Sequence, residues 1–282
     1  MKAKDDELSG SAGGDEGQSD GIDAMAANGS LVPKGALSGT VFHEVMEKLC
    51  QNDKEKGEVD FSIGQNDDFE SLVDEPGNNK SPLLEIVRRR LAANGVVNRI
   101  GAKDGESTAV SIARMAWNAL RTEVDIGGDR FKLCDVGLAD RKAEVNFVFD
   151  ENLFNGGSER EGALNGSIDL VVRRSNGKYV IVDWKTNVLE NYSPESVKSA
   201  MDAAGYHNQY QIYTLASEKW LGTESVAGAA YLFVRGGEFG ERPSGVFACS
   251  VKAEDRKRFL ESLVGLIGIS DRKDEEREEE GL

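Results

Sequence analysis

The chain has 282 residues, 30% of them charged, and a formal net charge of −16 at pH 7. This length accommodates one large domain or two small ones. Most of the negative charge lies in three segments, 1–33, 51–80 and 271–282, which together hold 8 Lys and Arg and 23 Asp and Glu. The rest of the chain, with 26 basic and 27 acidic residues, is nearly neutral. The composition therefore leaves nucleic acid open as a partner but argues against strong non-specific binding to it.

The cysteines and the first residues of the chain exclude several further classes. Cys50, Cys134 and Cys249 are far apart and form no Cys-x-x-Cys pair, which argues against a zinc ribbon. We expect them to be reduced, partly buried thiols of a cytoplasmic protein. The first ten residues have no apolar core and so do not resemble a signal peptide, and no run of 18 apolar residues predicts a membrane span.

The first third of the chain predicts an acidic tail followed by a helix. Residues 1–33 are rich in Gly, Ser, Asp and Glu, and we expect them to be a disordered tail with ordered structure beginning near Pro33. Ser38 is the expected cap of a helix through TVFHEVMEKLC, whose apolar residues form one stripe. His43 lies at the edge of that stripe, and its spacing alone indicates an ordinary, partly buried histidine.

The next stretch predicts an insertion and two helices. Residues 51–80 are acidic and are expected to form a mobile insertion. A helix is predicted in PLLEIVRRRLAANG, with Pro82 in its first turn and Gly95 at its end. Ser107 is the expected cap of the following helix. The three arginines at 88–90 could contact phosphate, or they could form a solvated helix face.

Residues 162–187 predict a β-hairpin, because two runs rich in Ile, Val, Leu and Tyr flank a Ser-Asn-Gly-Lys turn. Each run contains a carboxylate, Asp169 in SIDLVV and Asp183 in YVIVDWK, and an ionised carboxylate inside a sheet is costly unless something pairs with it. Lys185 points the same way as Asp183, roughly 7 Å along the strand, whereas Trp184 points the other way. This pattern predicts a site for a divalent cation.

The register of this hairpin decides whether the two carboxylates meet. A two-residue loop would place Asp169 opposite Trp184 and put Asp183 on the other face of the sheet. A three-residue loop, 175–177, pairs Arg174 with Lys178 and brings Asp169 opposite Asp183. Turn chemistry permits either loop, and the metal site favours the second, which we predict with positive φ at Gly177.

The remainder of the chain predicts an α/β continuation. The segment KAEVNFVF, before the hairpin, alternates as a strand, with Glu144 near its start. A polar segment follows the hairpin, and a long helix is expected over 203–221, where Gln209 and Tyr213 share one face. AGAAYLFVRG and GVFACSV predict two more strands, EDRKRFLESLVGLIG predicts a closing helix, and 271–282 is expected to be an acidic tail.

Three of these motifs, in this order, carry a resemblance. Gly-x-x-Asp ending at Asp169, Asp-x-Lys from Asp183 to Lys185, and Gln-x-x-x-Tyr from Gln209 to Tyr213 resemble the PD-(D/E)XK nuclease superfamily. Within it, the chain looks most like the RecB-type nuclease domain of exodeoxyribonuclease V. The resemblance is strong over 160–236 and weaker at Gly39-x-x-x-His43 and at Glu144.

The resemblance implies a fold and a set of site residues. The implied fold is a restriction-endonuclease-like α/β core, a central mixed β-sheet flanked by helices, over residues 34–270. The implied cofactor is Mg²⁺, with Mn²⁺ as a substitute. The implied metal ligands are His43, Asp169, Asp183 and the backbone carbonyl of Trp184. The implied catalytic residues are Asp169, Asp183, Lys185, Gln209 and Tyr213, the last two as candidates to orient the substrate phosphate or the attacking water. The role of Glu144 is left undecided between an exposed edge residue and an acid just outside the ligand shell.

The implied activity is Mg²⁺-dependent hydrolysis of DNA phosphodiesters in repair and recombination, with DNA and the helicase subunits of a RecBCD-like complex as partners and no membrane. The alternative is a non-catalytic DNA-binding or scaffolding domain, which would be expected to lack a ligand or the lysine. The chain contains no Gly-x-x-x-x-Gly-Lys-Ser/Thr loop and therefore no recognisable ATPase motor.

Overall fold

The computed structural model describes residues 31–51, 59–73, 81–101, 106–150, 163–236 and 244–262. The helices are α1 (Ala36–Cys50), α2 (Phe69–Val73), α3 (Pro82–Ala93), α4 (Thr108–Arg121), α5 (Pro194–Ala203), α6 (Tyr206–Leu221) and α7 (253–262). The strands are β1 (Glu123–Ile126), β2 (Asp129–Lys132), β3 (Arg141–Asp150), β4 (Ala163–Arg173), β5 (Tyr179–Lys185), β6 (Val226–Phe233) and β7 (Val246–Ser250).

Five of the strands form one mixed sheet in the order β3-β4-β5-β6-β7. The pair β5–β6 is parallel and its neighbours are antiparallel. Parallel neighbours need a crossover connection, and α5 and α6 supply it. Strands β1 and β2 form a separate hairpin. The predicted α/β core with a central mixed sheet flanked by helices is confirmed.

The two faces of the sheet bury two hydrophobic clusters. Val180, Val182 and Trp184 of β5 join the cluster that contains the apolar residues of α1, α3 and α4. Ile181, between them, joins the opposite cluster, which contains residues of α5 and α6. Because side chains alternate along a strand, Asp183 and Lys185 follow Ile181 onto the α5–α6 side. The prediction that these two residues point the same way, and Trp184 the other way, is confirmed.

The predicted hairpin register is confirmed. Strands β4 and β5 pair from Arg173↔Tyr179 to Leu170↔Val182, a register that places Asp169 opposite Asp183. The loop begins where the Arg174 N–H donates to the Lys178 carbonyl at 2.8 Å. Gly177 has φ of 79°, the left-handed conformation expected at the third loop position.

The predicted helix boundaries are partly confirmed. Pro82 lies at the start of α3, and the Ser107 hydroxyl accepts a hydrogen bond from the Val110 N–H at the start of α4. The prediction for Ser38 is wrong, because α1 begins at Ala36 after Gly35 and Ser38 is buried inside its first turn. Gly35 has φ of 105°, a conformation that lets the chain enter the helix one turn earlier than the serine suggested.

The proposed insertion over 51–80 requires a correction. Residues 59–73 contribute Phe61, Ile63 and Phe69 to the buried core, so this part is anchored by its aromatic and aliphatic side chains despite the acidic composition. The proposed tail over 1–33 is also too long, because Val32 is buried. Residues 1–30 and the acidic tail over 271–282 lie outside the described residues.

The segment after the hairpin also differs from the prediction. The stretch described as polar contains α5, which Ser193 caps by accepting from the Ser196 N–H. The long helix begins at Tyr206 rather than 203, because Gly205 is left-handed and separates it from α5. Among the arginines at 88–90, Arg89 pairs with Glu85 and Arg90 with Glu44, which favours the solvated helix face.

The three cysteines are free thiols. Among the helices that the structure describes, none combines the length and the apolar character that a bilayer crossing requires.

Candidate metal centre and active site

The site lies where β4 separates from β5. Regular pairing ends at Leu170↔Val182, and beyond it the Trp184 N–H donates to Asp169 Oδ2 at 2.7 Å. The Asp169 side chain thus takes the place of a backbone partner. This exchange leaves Asp169 at the end of the paired region, 8% exposed, with its second oxygen available to other groups.

Strand β3 is interrupted at the same level. Ala143 pairs with Leu170 and Val145 with Ile168, but Glu144, which the register places opposite Asp169, is unpaired in the ladder. Glu144 has φ of 49°, an uncommon conformation for a residue with a side chain. The Ser167 hydroxyl donates to Glu144 Oε2 at 2.9 Å and holds the carboxylate in place.

The break changes which residues face which core. Ala143 and Leu170 belong to the cluster under α1, whereas Val145 and Ile168, only two positions away, belong to the cluster under α6. In a regular strand, residues two apart face the same side. The strands therefore lose their regular alternation at Glu144 and Asp169, and both carboxylates lie at this point.

Helix α1 brings His43 to the same place. Its Nδ1 lies 3.2 Å from Asp169 Oδ1, and 32% of its side chain is exposed. Phe42 anchors the helix by an edge-to-face contact with Trp184, with ring centroids 6.3 Å apart. Gly39 permits the close approach, since a Cβ there would lie 3.0 Å from Thr186 Oγ1.

His43, Glu144 and Asp169 each offer one ligand atom, and these atoms lie within 4.8 Å of one another. In an octahedral Mg²⁺ site with bonds of about 2.1 Å, neighbouring ligands lie about 3.0 Å apart and opposite ligands about 4.2 Å apart. The three groups would therefore have to move closer together to share an ion. Carboxylate oxygens suit Mg²⁺, and imidazole adds affinity for ions such as Mn²⁺.

Asp183 and Lys185 form a buried ion pair beside this cluster. Lys185 Nζ lies 2.7 Å from Asp183 Oδ2, and the two residues are 8% and 2% exposed respectively. The Lys185 ammonium is thus the ion-pair partner of Asp183 Oδ2, and the described residues give this oxygen no further hydrogen-bond donor. A buried carboxylate with a single cationic partner keeps lone pairs free, and a divalent cation would bind them. The donor set therefore fits a metal ion.

The electrostatics of the site favour protons or cations. Burial, with the charge of Asp169, raises the pKa of Asp183 from 3.8 to about 7. Burial also raises the pKa of Glu144, and the negative charge of Asp169 raises it further. Burial lowers the pKa of His43, but the Asp169 and Asp183 carboxylates outweigh burial and the net pKa is raised. Each shift arises because negative charge is concentrated in a partly dehydrated space.

Helix α6 places Gln209 and Tyr213 behind Lys185. Lys185 Nζ donates to Gln209 Oε1 at 3.1 Å, and Gln209 Nε2 donates to the Tyr213 hydroxyl at 3.0 Å. Tyr213 packs edge-to-face on Phe147, whose ring occupies the space that a Cβ on Gly166 would fill. Both Gln209 and Tyr213 are buried.

The predicted residues thus lie together, with one addition and one open point. His43, Asp169, Asp183, Lys185, Gln209 and Tyr213 form one connected group. Glu144 joins the ligand cluster, a role that sequence reasoning left undecided. Its signal was a charged residue near the start of an otherwise alternating strand. The contact seen at Trp184 involves its N–H, and ligation by its carbonyl stays a prediction.

The α/β fold is consistent with a restriction-endonuclease-like core. The chain belongs to the PD-(D/E)XK nuclease superfamily, whose family model matches residues 22–279.

Several curated proteins are similar to part of the chain. The RecBCD enzyme subunit RecB of Haemophilus influenzae is 42% identical over 99 residues, 31% of this chain and 8% of that protein. RecB of Escherichia coli is 38% identical over 87 residues, 27% of this chain and 7% of that protein. RecB of Mycobacterium tuberculosis is 34% identical over 87 residues, again 27% of this chain and 8% of that protein. The matched regions therefore span less than a tenth of the length of these relatives.

Proposed function

We propose that this chain is a Mg²⁺-dependent DNA nuclease of the exonuclease V type that hydrolyses phosphodiester bonds during the processing of DNA ends in repair and recombination. One observation carries the proposal. Three ligand atoms from His43, Glu144 and Asp169 lie within 4.8 Å of one another, next to the buried Asp183–Lys185 pair. A non-catalytic binding domain has no need of a buried Asp–Lys pair beside a cluster of metal-ligating atoms.

Each residue has a role that follows from its position. His43, Glu144, Asp169 and Asp183 would hold the cation. A divalent cation, when bound, makes water more acidic and neutralises charge on phosphate oxygens. Lys185 supplies a fixed positive charge where negative charge develops on the phosphate, which stabilises the transition state more than the ground state. Gln209 fixes the lysine through its 3.1 Å hydrogen bond, while direct contact of Gln209 or Tyr213 with substrate stays a prediction.

The proposed partners are DNA and the helicase subunits of a RecBCD-like complex. Similarity to RecB subunits supports this part. Outside its acidic segments the chain has nearly equal numbers of basic and acidic residues, so it can neutralise few DNA phosphates. A motor that delivers a strand to the site would compensate for that weak affinity. We place the protein in the cytoplasm, in agreement with its free cysteines.

The test is cleavage of linear and covalently closed circular DNA by the full chain in Mg²⁺, with and without helicase partners. We expect EDTA and Asp183→Ala each to abolish cleavage without unfolding the protein. Asp202→Ala is a matched control, because Asp202 is an exposed carboxylate on α5 that pairs with Lys198 and His207. Cleavage that resists EDTA, or that Asp183→Ala leaves at the wild-type rate, would show that the proposal is wrong. Cleavage of the linear form alone would indicate an exonuclease.

A further inference from the structure

Two tyrosine rings face the ammonium group of Lys185. Its Nζ lies 4.0 Å from the ring centroid of Tyr206 and 5.3 Å from that of Tyr231. Both distances are within the roughly 6 Å over which a cation is attracted to the face of an aromatic ring. The lysine, mostly buried, is therefore surrounded by Asp183, Gln209 and two aromatic faces.

The rings are themselves fixed in place. Tyr206 and Tyr231 stack on each other, with centroids 5.7 Å apart and an interplanar angle of 25°. The Tyr206 hydroxyl donates to Asn187 Oδ1 at 3.3 Å, and the Tyr231 hydroxyl donates to Gln209 Oε1 at 3.1 Å. Tyr206 is the first residue of α6 and Tyr231 lies in β6, so the helix and the sheet together set the position of the pair.

A lysine held only by a carboxylate would not keep its ammonium group in one fixed position. Its four-carbon side chain has many rotamers, and holding it in one of them costs entropy. Asp183 attracts it, but that attraction weakens once the charge of the carboxylate is shared with a divalent cation, which also repels the ammonium. A neutral aromatic face attracts a cation without binding the metal ion or accepting a proton from it.

We propose that Tyr206 and Tyr231 are positioning residues that hold the Lys185 ammonium in its catalytic place through their ring faces. This inference rests on the proposed nuclease function for its kinetic consequence, but not for the placement itself. The two tyrosines act through Lys185 and need not touch substrate. Their effect is therefore expected in the rate of the cleavage step rather than in DNA affinity.

The placement is tested without activity by NMR of the full chain, labelled with ¹³C at the lysine ε-carbon, in EDTA. Aromatic faces shift the resonances of nearby protons upfield. We expect one lysine ε-methylene resonance to lie upfield of the others, to vanish in Lys185→Arg, and to move back towards the others in Tyr206→Leu. A Lys185 resonance among those of the exposed lysines would overturn the placement and with it the proposal.

The positioning role is tested by single-turnover cleavage at saturating Mg²⁺ and DNA. We expect Tyr206→Phe to stay within about 3-fold of wild type, since it keeps the ring, and Tyr206→Leu to lower the rate about 5- to 30-fold, the range for a cation–π contact on going from partial to full burial. Phenylalanines with one to four ring fluorines at position 206 should lower the rate progressively, because fluorine weakens the ring face at nearly constant shape.

Tyr210 is the matched control for the fluorinated series. It lies on the same helix, one turn further along, and contacts His207 and Cys249. The series at Tyr210 should leave the rate unchanged. A flat series at 206, or a loss that appears only in DNA affinity, would overturn the positioning role. A wild-type chain that shows the upfield lysine resonance but cleaves no DNA would instead overturn the nuclease function and leave the placement intact.

Discussion

Replacing Asp183 with asparagine is expected to stabilise the metal-free protein while it removes cleavage. The carboxylate is 2% exposed, and the buried Lys185 ammonium is the ion-pair partner of its Oδ2. Its neighbour Asp169 adds a like charge that works against ionisation. Asparagine has almost the same shape and cannot ionise. Its carbonyl oxygen can still accept from the buried Lys185 ammonium, which also donates to Gln209 Oε1, so the substitution relieves the cost of the buried negative charge.

The magnitude follows from the pKa of Asp183, which burial and Asp169 raise from 3.8 to about 7. The unfolded chain releases this proton near pH 4 and the folded chain only near pH 7, so the stability of the wild type falls as the pH rises through that window. At about 1.4 kcal/mol per pKa unit, the total loss is up to about 4 kcal/mol. Between pH 5 and pH 8, the advantage of Asp183→Asn should grow by about 2–3 kcal/mol.

The assay is urea unfolding of wild type and Asp183→Asn at both pH values in EDTA. Asp125→Asn is the control of opposite sign, because the Gly128 N–H and Arg130 lower the pKa of that exposed carboxylate. Added Mg²⁺ should stabilise the wild type and have little effect on Asp183→Asn, since a ligand stabilises only the fold that binds it. If Asp183→Asn were less stable than wild type at pH 8 in EDTA, the reasoning would be refuted.

Three further predictions concern the metal and the DNA. His43→Ala should raise the Mg²⁺ concentration needed for half-maximal cleavage. In the wild type, lowering the pH below 7 should raise this concentration too, because the pKa values of His43 and Asp183 are raised and protons compete with the metal. An unchanged metal requirement in His43→Ala would show that His43 is an ordinary, partly buried histidine. Glu144→Gln should weaken metal affinity about 10-fold without loss of stability, since glutamine can keep the Ser167 hydrogen bond. Calorimetry with Mn²⁺ measures the affinity, and equal affinity in the variant would show that Glu144 is not a metal ligand. DNA binding by the isolated chain should be weak and lose little affinity between 50 and 200 mM salt, measured by fluorescence anisotropy. Tight binding at physiological salt would contradict the expectation that a nearly neutral chain neutralises few phosphates.

The hairpin shows how far the sequence alone could lead. Alternation placed Asp183 and Lys185 on one side of β5, and glycine at the third loop position was compatible with the register that the structure has. Turn chemistry could not choose between two loops, whereas the requirement that Asp169 and Asp183 meet could. Local pattern and site chemistry together therefore predicted the central part of the site.

Glu144 could not be placed in this way. Its role depends on a positive φ and on the interruption of β3 opposite Asp169, and no local pattern in KAEVNFVF specifies a left-handed glutamate. The burial of Phe61 and Phe69 was likewise hidden by acidic neighbours, because composition averages over residues that act individually. Helix α5 was missed because half of its ten residues are polar and only two of its apolar residues, Val197 and Met201, are buried.

The most direct test of the metal centre is the rate of linear DNA cleavage as a function of Mg²⁺ concentration, in wild type and in Asp169→Asn. Asp169 joins helix α1 to strand β5 at the site, since its two oxygens contact His43 and the Trp184 N–H. Asparagine keeps the shape and one acceptor oxygen. We predict saturable cleavage by the wild type and none by Asp169→Asn at any Mg²⁺ concentration. Cleavage by Asp169→Asn at the wild-type rate would contradict the assignment of this site.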